Sequence, residues 1–178
     1  MAEPKLAATI GYYSVTENEH TGWTGGLLVL NCAGRPLEFQ CTLPVRPSKA
    51  HEILFGSTLR QHLISDVIGP MLLKKCRTPI SLLCCDQAES LRVESVTSAP
   101  VVLVSEAAEE DEGPISDDMI IGTEAVELAG STLRVQIEQA ELVRSLVSQF
   151  GDLPDATEPF ERIREAIREA QSQIARAA

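Results

Sequence analysis

Aromatic rings are scarce in this chain: one Trp, two Tyr and four Phe among 178 residues. The core must therefore be aliphatic, and the scarcity argues against a platform on which nucleic-acid bases stack. Long apolar runs are missing as well. None approaches the roughly 20 residues of a membrane span. The opening residues Met1 to Ala8 hold an acid and no hydrophobic segment, so no secretory signal is expected and the expected location is cytoplasmic. Metal-binding spacings are also lacking. The five cysteines, Cys32, Cys41, Cys76, Cys84 and Cys85, contain no C-x-x-C, and His20, His51 and His62 match no ligand motif. Adjacent cysteines on a strand point to opposite faces, so Cys84 and Cys85 read as buried reduced thiols rather than ligands or a redox pair. No metal and no other cofactor is expected. A Cys41–His51 nucleophile and base would need a tertiary coincidence.

Positive charge is short too, and unevenly so. The formal net charge is -11. Residues 1–77 hold eight Lys or Arg against six acids, and residues 78–178 hold seven against twenty. Such a surface repels a nucleic-acid backbone and offers no basic stripe. The expectation is thus a chain without nucleic-acid or membrane partners, whose unlike halves complement each other within one molecule or between copies.

What is present reads as an α+β protein. Residues 8–15 are rich in β-formers and predict a first strand. Residues 16–26, with Trp23 and Gly22, Gly25 and Gly26, read as a polar turn region. Residues 27–30 are wholly apolar. Leu37, Phe39, Cys41 and Leu43 then alternate with Glu38, Gln40 and Thr42, which predicts a return strand with the apolar set buried. Ser48 suits an N-cap, and helical spacing follows over 48–56, 58–68 and 70–76, with Pro70 marking a kink or a fresh start. These helical pieces are expected on one face of the sheet. Strands are predicted at 79–85, 90–96 and 101–104.

Residues 106–118 carry seven acids, no base and a Gly-Pro pair, and are expected to be a solvated loop or linker. Beyond it, short strands are expected at 119–121, 125–129 and 132–137. Helices follow over 138–150 and from Thr157 onward. Phe160, Ile163, Ala166, Ile167, Ala170 and Ile174 form a narrow stripe on the last helix. The expected organisation is a mixed α/β core over 1–105, the acidic segment 106–118, and a strand-helix-helix extension over 119–178 packed on the same core.

The β-β-β-α-β order of the opening is similar to the ribonuclease H-like fold, a resemblance of topology alone. Nucleases of that kind need clustered carboxylates to hold two divalent ions. The resemblance implies an acid on the first strand, yet residues 9–15 contain none. Glu38 on the hairpin and Asp86 at a strand end are the only acids placed suggestively. Two glycine-based readings fail: Gly22, Gly25 and Gly26 precede a strand rather than follow one and open a helix, so they match neither a dinucleotide fingerprint nor a phosphate-gripping loop.

Three functional classes remain. First is a non-catalytic interaction or assembly protein, possible as a homo-oligomer, with no enzymatic role; its interface would use Trp23, Phe160, Ile163, Ile167 and Ile174, since large apolar anchors dominate interfaces. Second is a metal-dependent hydrolase or nuclease using Glu38, Asp86 and an unidentified third acid. Third is a small-ligand-binding regulatory domain with a pocket between sheet and helices. The first is the leading expectation.

Overall fold

The computed structural model describes residues 6–114, 118 and 121–178. The fold is α+β, as the sequence patterning predicts. It opens with an antiparallel meander: β1 (Ile10–Asn18), β2 (Gly22–Leu30) and β3 (Pro36–Cys41). Helical elements follow: α1 (Lys49–Phe55), a π-helical stretch (His62–Ile68) and α2 (Gly69–Lys75). Next come β4 (Leu82–Cys85), β5 (Val101–Val104) and α3 (Ser105–Glu112). A second antiparallel pair, β6 (Thr123–Leu128) and β7 (Ser131–Gln136), precedes α4 (Ala140–Val147) and α5 (Glu158–Ala177). The seven strands among the described residues form one sheet in the order β3-β2-β1-β4-β5-β7-β6. β4 and β5 run parallel to β1, and the remaining neighbours are antiparallel.

The helical pieces of 48–76 cover one face of this sheet, as expected, and the later helices cover the other. On one face, Tyr12, Leu28, Leu30, Cys84 and Val102 pack with Val143 of α4 and with Phe160, Ile163 and Ile167 of α5. On the other, Tyr13, Val15, Leu27, Val29 and Cys85 pack with Leu63, Ile64, Ile68 and Leu72. Burial on both faces explains why 27–30, 82–85 and 101–104 read as unbroken apolar runs. It also accounts for the vicinal thiols, which are both fully buried on β4 and belong to opposite cores.

Four local expectations change. Residues 16–18 and 22–26 are strand, with only the tip between them a turn; Gly25 and Gly26 are mid-strand glycines that serve packing. A Cβ at Gly25 would lie 2.1 Å from Cγ2 of Ile68, and one at Gly26 would lie 2.4 Å from Cγ2 of Ile163. Neighbouring positions on a strand face opposite ways, so the two glycines admit a helix from each side at the same point.

The alternation on β3 is real but inverted: Leu37, Phe39 and Leu43 are exposed. Polar contacts on the other side set the register. Glu38 accepts N–H bonds from Arg77 and Thr78, and Gln40 donates to the Lys75 carbonyl. Residues 88–96 form a 3-10 segment rather than a strand, burying Ser90 and Val93 at its three-residue period. Finally, Ser105–Glu112 is helical, and Glu106 receives the Thr132 N–H of β7. The strand expected at 119–121 falls largely outside the described residues.

Caps follow chemistry that the sequence shows in part. Ser48 caps α1, its hydroxyl oxygen accepting from the His51 N–H at 3.2 Å. At α5 Thr157 is the N-cap residue, as expected, but the capping oxygen comes from Asp155. Its Oδ1 accepts from the N–H groups of Thr157 and Glu158 and from the Thr157 hydroxyl, and these bonds hold its pKa below the usual value. Replacing Gly26 by Ala should cost about 1–3 kcal/mol by overpacking. Urea denaturation of Gly26→Ala checks this; wild-type stability would contradict a tight α5–β2 approach.

Candidate functional site

At the carboxyl ends of β1 and β4 the two central parallel strands separate, and the chain leaves β4 through Asp86 and Gln87. Ladder pairing of β4 with β1 reaches Tyr13 and Cys85. Gln87 then continues it with a side chain: its Oε1 accepts from the Val15 N–H at 3.1 Å, and its Nε2 donates to the Val15 carbonyl at 2.8 Å. The amide therefore imitates one more strand residue and fixes the strand end.

Asp86 is the one acid among the described residues that is buried, with 1% of its surface exposed. Its Oδ2 accepts from the Ser14 hydroxyl at 2.8 Å and from Nη2 of Arg164 at 2.9 Å. Arg164 comes from α5, on the far side of the chain in sequence, and its Nη1 also donates to Glu161 at 2.6 Å. The guanidinium is thus shared between an enclosed carboxylate and a solvated one. A buried charge left without its partner is costly, so this pair fastens α5 to the sheet.

In front of the pair lies an open cleft of about 340 Å³, lined by Ser14, Val15, Thr16, Glu17, Arg60, Gln87 and Arg164. Arg60 is held from two directions. Its Nε donates to Glu89 at 2.8 Å, and its guanidinium carbon lies 5.8 Å from the centre of the Trp23 ring. Two arginines therefore border one recess, together with the hydroxyl residues Ser14 and Thr16 and the acid Glu17. Such a set suits a phosphoryl or carboxylate group, because the planar fork of Arg donates two parallel bonds to such oxygens.

The residues singled out from sequence are dispersed. Asp86 sits at the cleft. Glu38 lies on β3, three strand spacings away, roughly 14 Å. Pairing carries Glu38 through Val29 and Gly11 to Leu83, three residues short of Asp86 along β4. These acids cannot share an ion. Glu38 has a structural task, receiving donors from Arg77, Thr78 and Gln40. Its hydrogen bonds, those with Thr78 foremost, lower its pKa from the ordinary 4.5 to about 2. Trp23, Phe160, Ile163 and Ile167 are buried core and offer no interface; of the expected set only Ile174 is exposed. Trp23 reaches the site indirectly, as the surface under Arg60.

Three of the thiols are held toward the protonated form. Burial pushes Cys84 and Cys85 well above the usual thiol range, and burial together with nearby Glu38 takes Cys76 to about 11. Ser14, Arg60 and Arg164 escaped the sequence reading. Arg164 looks like an ordinary i,i+3 partner of Glu161 on a charged helix, and nothing local marks its second bond. Only the assembled sheet shows it.

No protein-family model matches the chain, and no curated protein sequence matches it. Solved structures do show similarity. Human ENDOV matches 94% of this chain and 87% of its own at 12% identity, with a TM-score of 0.49. Ciona intestinalis endonuclease V, solved with a 24mer DNA containing an inosine followed by a ribo-adenosine, matches 95% and 88% at 15% identity and 0.48. The expectations of a non-catalytic assembly protein, of no enzymatic role and of no nucleic-acid partner run against these likenesses and are not carried forward. At this identity and score the likeness concerns fold only, and no residue role is taken from it. Four of the five residues proposed for self-association are core, and only Ile174 is exposed.

Two outcomes are expected. Arg164→Met should lose stability toward the lower end of about 3–5 kcal/mol, with much of the loss recovered when Asp86→Asn is added; denaturant titration of the two variants measures this. Glu38 has a depressed folded pKa, so its stabilisation is full above about 4.5 and is lost as pH falls toward about 2. The stability difference between wild type and Glu38→Gln should therefore shrink across that window. A difference that does not change with pH would contradict it.

Proposed function

We propose that this chain is a hydrolase of ribonuclease H-like topology that acts on the phosphodiester backbone of a nucleic acid at the Asp86 cleft. The observation carrying this reading is the position of Asp86. It is an enclosed carboxylate at the carboxyl ends of two parallel central strands, directly behind a recess that presents Arg60 and Arg164. The order of the first five strands in space, β3-β2-β1-β4-β5, is in keeping with that topology.

A pair of divalent ions is the usual means of phosphodiester hydrolysis in such a setting. The residues here do not fit one. Among the described residues no three His, Cys, Asp or Glu side chains come together in a way that could hold a metal ion. β1 brings a single acid, Glu17, to the cleft wall, and the Arg164 guanidinium is bonded to Asp86. No step is therefore assigned to a metal.

What the chain's own groups can do is bind and neutralise. A phosphodiester entering the recess meets Arg60 and competes with Asp86 for Arg164. Guanidinium groups aimed at its non-bridging oxygens stabilise the charge that develops there during displacement. As Arg164 turns toward the phosphate, the Asp86 carboxylate becomes available to orient an attacking water and take its proton; the water oxygen bonds to phosphorus as the bond to the leaving ester oxygen breaks, and that oxygen takes up a proton from solvent water. The net charge of -11 repels a polyanion at long range, so attraction is local and falls with salt.

The test uses labelled single- and double-stranded DNA and RNA, each with and without chelator. Binding by anisotropy and slow cleavage are expected, with Arg60→Ala weakening binding and Asp86→Asn cutting the rate by about 10²–10⁴. Circular dichroism confirms that the variants fold. Neither binding nor cleavage with any of the four substrates would sink the reading.

A further inference from the structure

We infer that Arg164 is the resident counter-ion of Asp86, holding the place a divalent cation would take against that carboxylate, so that the cleft works without metal. This deepens the proposed function and rests on it for the identity of the site. Three observations carry it.

Arg164 and the Ser14 hydroxyl converge on the same oxygen, Oδ2 of Asp86, at 2.9 and 2.8 Å. Asp86 is enclosed while its arginine is 20% exposed, so the guanidinium forms the carboxylate's lid toward the cleft. A hydrated ion approaching Asp86 meets a fixed positive charge first.

The neighbouring groups are also committed. Glu161 holds the same guanidinium from the solvent side at 2.6 Å, and Glu89 holds Arg60 at 2.8 Å. Both ends of the Gln87 amide serve Val15. Glu17 of β1 is the one acid among the residues lining the cleft. Arginines are thus interleaved with the acids around the recess, the reverse of the clustered, uncompensated oxygens that hard divalent ions require.

The chemistry has a direction. A phosphoryl oxygen can replace Asp86 as the partner of Arg164, one anion exchanging for another. A metal cannot do so, because it would have to displace the arginine and leave a guanidinium beside it. The ligand class recognised is therefore a phosphate-bearing anion free of bound divalent ion.

Manganese titration by calorimetry, supported by electron paramagnetic resonance of the free ion, tests this. Wild type and Arg164→Lys, which keeps a cation, should show no saturable Mn²⁺ binding up to about 1 mM. Arg164→Asp should gain a site at least tenfold tighter, lost again when Asp86→Asn is added. Saturable binding by wild type that Asp86→Asn abolishes would overturn the inference, as would a folded Arg164→Asp chain that remains blind to Mn²⁺. Should Arg164→Asp fail to fold, the Arg164 Nε–Hε resonance of the wild type decides. Persistence of that signal on adding Mn²⁺ supports the inference, and selective broadening of it overturns it. Nucleic-acid binding measured in parallel separates the two proposals. Its absence removes the function and leaves the ion result standing, whereas wild-type Mn²⁺ binding removes only the resident counter-ion.

Discussion

Two adjacent glycines on β2 determine how closely the helices can approach the sheet. Gly25 admits Ile68 and Leu72 on one face, and Gly26 admits Ile163 and Ile167 on the other. Without that clearance α5 would ride further from the sheet, and the long reach from its backbone to Asp86 would no longer close at hydrogen-bonding distance. The π-helical stretch answers the same constraint from the opposite side. Its Ile64 carbonyl accepts the Tyr13 hydroxyl at 2.6 Å and also the Gly69 N–H, so β1 is tied to this layer by a polar bond inside an aliphatic core. Burial holds the Tyr13 hydroxyl protonated as a donor. Packing geometry and the polar site are therefore one problem solved twice, once on each face.

The electrostatics around the cleft follow from enclosure. Asp86 can be charged there because Arg164 and Ser14 meet it, and Arg164 is stationed there because α5 is docked. Arg60 depends in the same way on Trp23 and Glu89. An acidic protein can still present cations to an anionic ligand when each is fixed by a neighbour. The long-range field and the local field then have opposite signs, which favours selectivity over capture rate.

Much of the fold could be read from residue order. The unbroken runs at 27–30, 82–85 and 101–104, the Ser48 cap and the stripe Phe160–Ile163–Ile167 all declare their burial through local pattern. Failures came where tertiary partners outrank pattern. Leu37 and Phe39 alternate as a buried face would, yet Glu38 and Gln40 turn inward because donors and an acceptor from the end of α2 await them. Gly25 and Gly26 look like turn residues until helices are found on both sides. Val93 fits both a two-residue and a three-residue period, so 90–96 was ambiguous by construction. Of the site, Asp86 was legible as an acid ending an apolar strand. Arg164 was not, because a guanidinium on a helix rich in acids has an adequate local explanation already, and Ser14 is merely one small polar residue on a strand.

The cleft draws Ser14, Arg60, Gln87 and Arg164 from four separated stretches of the chain. Such a site has a history as well as a shape. During synthesis the meander and the π-helical layer can form while Arg164 has yet to emerge, and until α5 arrives Asp86 remains an unbalanced charge. Burying it without that partner is unfavourable. The Arg164–Asp86 bond spans 78 positions, so it closes late and confers stability at the same moment that it completes the recess. Maturation of the site is thereby tied to completion of the fold, and a partly made chain presents no finished version of it.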